Sequence, residues 1–179
     1  IVFGDWSSDV CSSDLLIFSG QTALAQVSLD MARKMYFGMD KDECGALKLS
    51  EKFGNTPPAD PVLLAYYGAS TAAAPNCIGN PAKKISYFRK GKQMLEEAVT
   101  KKPGQLEIRF LRFATQTKAP SFLGYNANIQ EDKKFILENI NRFGSQPSNR
   151  ETAAKIAGFM VDSGQLTKDE ALRIKTVAN

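Results

Sequence analysis

The sequence contains no histidine. That absence excludes any Ser-His or Cys-His nucleophile pair, any H-E-x-x-H zinc site and any imidazole proton relay. Tryptophan occurs once, at Trp6, and cysteine only at Cys11, Cys44 and Cys77. No run approaches the roughly 18 consecutive apolar residues of a membrane-spanning helix. No segment combines strand-like alternation with hairpin dipeptides. The phosphate loop, G-x-G-x-x-G, S-x-x-K and the nucleophile elbow are also missing, so no cofactor is implied. What is present is an ordinary balance for one domain: 179 residues, 43% apolar and 23% charged. An enzyme on this chain would depend on carboxylate, lysine or tyrosine chemistry, for which no spacing argues. The balance is against catalysis.

The first residues read unlike a fold. Asp5 to Leu15 spells D-W-S-S-D-V-C-S-S-D-L, which resembles the in-frame translation of a common sequencing adapter. Segments of that kind do not belong in fold reasoning. After it come a short apolar run, Leu15 to Phe18, and a small-x-small step, Ala23-Leu24-Ala25. Together they read as the remnant of an export signal cleaved after Ala25. Residues 1–25 are therefore expected to carry no domain, and residues 26–179 a single one, periplasmic or secreted. Without Asp5, Asp9 and Asp14, the balance of 23 bases and 19 acids moves from +4 to +7. Cys44 and Cys77 remain, and an oxidising compartment permits one disulfide between them.

The rest reads as helices. Apolar residues at helical spacing predict a first helix over 28–37 and a second from Asp40 to Gly54. Asp60-Pro61 and Asn80-Pro81 are start signals, a capping side chain followed by proline at the first helical position. They open helices ending before Pro75 and near Pro103-Gly104. The latter is expected to bury Ile85, Phe88, Leu95 and Ala98. Further helices follow over 105–117 and from Ile129 to Phe143. Ser148-x-x-Glu151 and Thr167-x-x-Glu170 are capping boxes that open two more. The expectation is an all-α domain of seven or eight helices, paired as antiparallel hairpins by short loops.

Two resemblances bear on this. Leu64, Tyr67, Gly68 and Thr71, with Gly91, Leu95, Ala98 and Pro103, resemble a tetratricopeptide hairpin with an insertion between its helices. The pattern does not recur at the 34-residue period of a repeat array. Ser86-Tyr87-Phe88, Glu107 to Phe113, Ala119 to Asn126 and Glu131-Asp132-Lys133 resemble an uncharacterised family of exported helical proteins of Bacteroidota. That resemblance implies an all-helical fold and export, and no activity.

Three constellations are candidates for function. Lys83 to Lys118 holds ten bases and only Glu96, Glu97 and Glu107 as acids, the whole excess charge of the mature chain. Such a region suits a protein partner or an anionic surface, and export disfavours nucleic acid. Within it, Gln105, Arg109, Arg112 and Gln116 form one polar stripe opposite Leu106, Phe110 and Phe113. Neither arginine has an acid three or four residues away on its helix. They are left to solvent, to an anion, or to Glu131 and Asp132 of the next helix. With Tyr125 and Asn126 of the following loop, Arg109, Arg112 and Gln116 make a candidate ligand site. Third, Asp40-x-Asp42-x-Cys44-Gly45-x5-Glu51 has the spacing of an EF-hand loop, with a thiol at a ligand position where calcium prefers oxygen. The favoured reading is a non-catalytic exported binding or scaffold protein. The alternatives are a binder or enzyme built on Arg109, Arg112 and Tyr125, and a calcium protein at 40–51.

Overall fold

Two residue pairs set the centre of the molecule. In the computed structural model, which describes residues 27–178, the Asp60 carboxylate accepts the N–H groups of Val62 and Leu63 at 2.8 and 2.9 Å. Asn80 accepts that of Lys83 at 3.1 Å. Each cap satisfies a backbone donor with no partner inside the helix, and each following proline has no donor to waste. They open Pro61–Ala73 and Pro81–Lys101, the third and fourth of eight α-helices among the described residues. The others are α1 (Leu29–Tyr36), α2 (Gly45–Phe53), α5 (Leu106–Lys118), α6 (Ile129–Gly144), α7 (Arg150–Asp162) and α8 (Lys168–Ala178). With α3 and α4 so numbered, short 3-10 turns stand at 39–41, 74–77, 121–123 and 147–149, and no strand occurs among the described residues. The all-α expectation holds. The adapter-like segment at 5–15 and the cleavage step after Ala25 lie outside the described residues.

Helix α3 is apolar on every face, and every position from Val62 to Ala72 except Leu63 is buried. A helix without a polar face must be surrounded, and α1, α2, α4 and α5 all pack on it. Its contact with α4 is the most extensive, and the glycines make it possible. A Cβ on Gly68 would stand 2.8 Å from the Gly91 carbonyl oxygen and 2.9 Å from the Leu95 nitrogen. A Cβ on Gly91 would fall on the Ala72 nitrogen and the Gly68 oxygen. The two backbones touch, in an antiparallel register that sets Gly68 by Leu95 and Ala72 by Gly91. The remaining helices add in sequence, α5 on α6, α6 on α7 and α7 on α8.

The structure departs from the expected boundaries at two places and from the expected burial at one. The second helix starts at Gly45, not Asp40, because a 3-10 turn occupies 39–41 and the Asp42 carboxylate turns back onto the Cys44 N–H at 3.1 Å. Ser148 does not cap the seventh helix; its carbonyl accepts from Arg33 at 3.2 Å, and a 3-10 turn at 147–149 leads in instead. Thr167 and Glu170 do form the reciprocal box, at 2.8 and 3.2 Å. Ile85, expected inside, is 40% exposed. A disulfide joins Cys44, at the head of α2, to Cys77, in the turn after α3, with the Cα atoms 5.3 Å apart. Closing that 33-residue separation is worth about 3–4 kcal/mol in the loop-entropy description.

Gly91→Ala should therefore destabilise the protein by about 2–3 kcal/mol despite alanine's better helix propensity, since backbone atoms cannot yield. Urea denaturation checks this; a stability equal to or above wild type would contradict the close approach.

Candidate functional site

Helix α5 has no solvent face. Leu106, Ile108, Phe110, Leu111, Phe113 and Ala114 are buried, and so are Glu107, Arg109, Arg112 and Gln116. A buried charge is tolerated only when paired and hydrogen-bonded. The expected polar stripe meets its partners on α6. Arg112 donates from Nε and Nη2 to the two oxygens of Asp132, at 2.7 and 2.9 Å, and from Nη1 to Glu96 of α4 at 3.1 Å. Arg109 donates from Nη2 to Glu131, and its Nε lies 2.9 Å from Asp132 without an aligned hydrogen bond. Its guanidinium also lies over the Phe135 ring, 5.1 Å from the centroid. Gln116 clasps Asn128, donating to its side chain at 3.3 Å and accepting its backbone N–H at 3.2 Å. Tyr125 donates to the second Glu96 oxygen at 2.6 Å.

The titration behaviour follows from this enclosure. Burial raises the Asp132 carboxyl above its usual range, against the opposing pull of Arg112 and Arg109. Burial opposes the Arg112 charge, but Asp132 and Glu96 outweigh it and hold the guanidinium more firmly protonated than usual. Burial and the bond to Glu96 push the Tyr125 phenol up, keeping it a neutral donor. Glu131 is lowered by the hydrogen bonds from Asn128 and Arg109.

The structure places most of the predicted ligand residues in this network. Arg109, Arg112, Gln116 and Tyr125 do converge, but on one another's carboxylates and amides. Both guanidiniums are already occupied and almost sealed. Asn126 is exposed and takes no part. Glu131 and Asp132, the alternative partners on the next helix, are the ones used. The EF-hand spacing fails on geometry as well. Gly45 to Glu51 are wound into α2, the Cys44 sulfur is bonded to Cys77, and Asp42 is held by Lys48 at 2.6 Å. Among the described residues no group of three or more Cys, Asp or Glu side chains is placed to hold a metal ion.

A second buried network was not foreseen. Glu107, fully buried, accepts Arg33 Nε at 2.9 Å and the Tyr66 hydroxyl at 2.8 Å. Arg33 also reaches the Asn149 side chain at 2.9 Å. This ties α1, α3 and α5 to the head of α7. The signal was available: Phe110 and Leu111 stand three and four residues after Glu107, so its face of the helix is apolar.

An apolar concave feature lies elsewhere, at the end where α3 and α5 finish and α2 and α4 begin. It is a half-open cleft of about 660 Å³. Ala72 and Ala73 of α3, Leu47 of α2, Ile85 and Phe88 of α4 and Phe159 of α7 line it. Phe122 and Leu123 form part of its rim, and Phe122 is 80% exposed. The loop 119–126 was expected beside the arginines. It is anchored to their network through Tyr125 but turns Phe122 toward the cleft. Sequence reasoning passed over the cleft because its walls come from six separate helices. Comparison of the chain with family models, with curated proteins and with solved structures gives no match.

Asp132→Ala should cost about 3–5 kcal/mol, because it leaves two buried guanidiniums facing each other. The double variant Arg112→Met/Asp132→Leu should regain most of that loss. Denaturation of the single and double variants checks this; equal losses would mean that the pair is not coupled.

Proposed function

We propose that the chain is a non-catalytic binding or scaffold domain of an exported protein, and that its site is the apolar cleft at the ends of α3 and α5. One observation carries the reading. A cleft of about 660 Å³, within the range of small-molecule sites, has apolar walls and an 80% exposed phenylalanine at its mouth. An aromatic ring left in water beside a concave apolar surface is stabilised when something covers both. The non-catalytic part is supported by chemistry. The buried charged groups, which an enzyme would need free, are committed to ion pairs.

Export is supported by the small-x-small step ending at Ala25 and by the Cys44–Cys77 bond, which belongs to an oxidising compartment. The same reading keeps the chain with the exported helical family of Bacteroidota and treats α3–α4 as a tetratricopeptide-like hairpin. The backbone contact at Gly68 and Gly91 supports the latter.

Two measurements test it. An environment-sensitive uncharged dye such as Nile red should bind with defined stoichiometry, and Ala73→Phe, which fills the cleft, should abolish binding without lowering the melting temperature. Absence of dye binding, or binding unchanged by Ala73→Phe, would remove the cleft as the site. Protein recovered from the periplasm should show Cys44 and Cys77 unreactive to alkylation until reduced; free thiols there would count against export as the natural state.

A further inference from the structure

The charges around the cleft are not evenly placed. Lys84, in the first turn of α4, and Lys118, the last residue of α5, both line it. Neither forms an ion pair among the described residues. The Lys118 ammonium lies over the Phe159 ring, 5.7 Å from its centroid, inside the cleft. Lys84 sits where the helix dipole disfavours a cation, and Lys83 and Arg89, exposed on the same helix, are also unpaired. No acid interrupts α4 before Glu96. On the α2 side the cleft is lined by Asp40 and Glu43. That side of the lining is acidic, whereas the α4–α5 side carries the two unpaired cations Lys84 and Lys118. Helix α3 lies between the two sides, packed against both α2 and α4.

An apolar channel with a positive rim on one side fits a particular kind of molecule. We infer that the cleft holds a single-chain anionic amphiphile, an acyl chain ending in a carboxylate, with the chain along Ala72, Phe88 and Phe159 and the head group at Lys84 and Lys118. The inference rests on the cleft being the binding site. The anionic head offsets the charge that α4 places at its own N-terminus, and it is kept from the other side by Asp40 and Glu43. Phe122 then closes over the chain and loses its exposure to water.

The experiment displaces the dye from the full chain, below micellar concentrations, with tetradecanoate, tetradecanol and tetradecyltrimethylammonium. Tetradecanoate should compete about tenfold more strongly than the alcohol, and more strongly still than the cation. Raising sodium chloride should reduce that preference. Lys84→Gln/Lys118→Gln should collapse the carboxylate-to-alcohol ratio toward one while the circular dichroism spectrum stays that of wild type. Equal competition by all three probes, or preference for the cation, would overturn the proposal. So would binding to phosphatidylglycerol vesicles that free tetradecanoate fails to compete, since the ligand would then be a surface. If the dye binds and Ala73→Phe abolishes it, but no amphiphile competes, the cleft stands and only this ligand class falls. If the dye never binds, both readings fall together.

Discussion

The buried pairing of Arg112 with Asp132 is the contact on which the second half of the molecule depends. Both side chains leave water almost completely, at 4% and 0% exposure, and that desolvation is recovered only by geometry. The bidentate contact recovers part, and Glu96 and Arg109 recover more. The result positions α5, α6 and α4 relative to one another more narrowly than apolar packing alone would, because hydrophobic contact is non-directional and a forked ion pair is not. Glu107 plays the same part in the first half, where it gathers Arg33 and Tyr66. Helix α5 thus contributes a charge to each network from opposite faces.

The cleft inherits its shape from these networks. The loop after α5 is pinned twice, by Tyr125 on Glu96 and by Asn128 on Gln116. The 3-10 turn at 121–123 lies between the end of α5 and those pins and presents Phe122 at the rim. The chemistry that sequence spacing assigned to a ligand site is one step removed from it. The arginines belong to the network that holds the loop framing the cleft. The small side chains of α3 have a related double use. Gly68 lets α4 approach, and Ala72 and Ala73 leave the hollow that larger residues would fill.

Most of the helices were legible because their starts carry local chemistry. Asp60-Pro61, Asn80-Pro81 and the Thr167–Glu170 box each solve the problem of unsatisfied N–H groups within four residues, so nothing distant is needed to read them. The failures are instructive for the same reason. Asp40 and Ser148 look like starts, but Asp42 and the Ser148 carbonyl are drawn to Cys44 and Arg33, and the second of these contacts spans more than a hundred residues. Periodicity on α5 identified the polar face of Arg109 and Arg112 and offered Glu131 and Asp132 as partners, but it did not decide between those acids and a free anion. The cleft was illegible because no single segment encodes it.

The disulfide gives the cleft an uneven stiffness. Cys44–Cys77 is a covalent strut between the head of α2 and the turn after α3, so the wall carrying Met39, Glu43 and Leu47 is braced where it meets the turn. The opposite rim, Pro120 to Leu123, is held by hydrogen bonds and packing alone. On the proposed reading of the cleft as a binding site, the less braced wall at Phe122, tied back through Tyr125 to Glu96, is the one that would yield to an entering molecule.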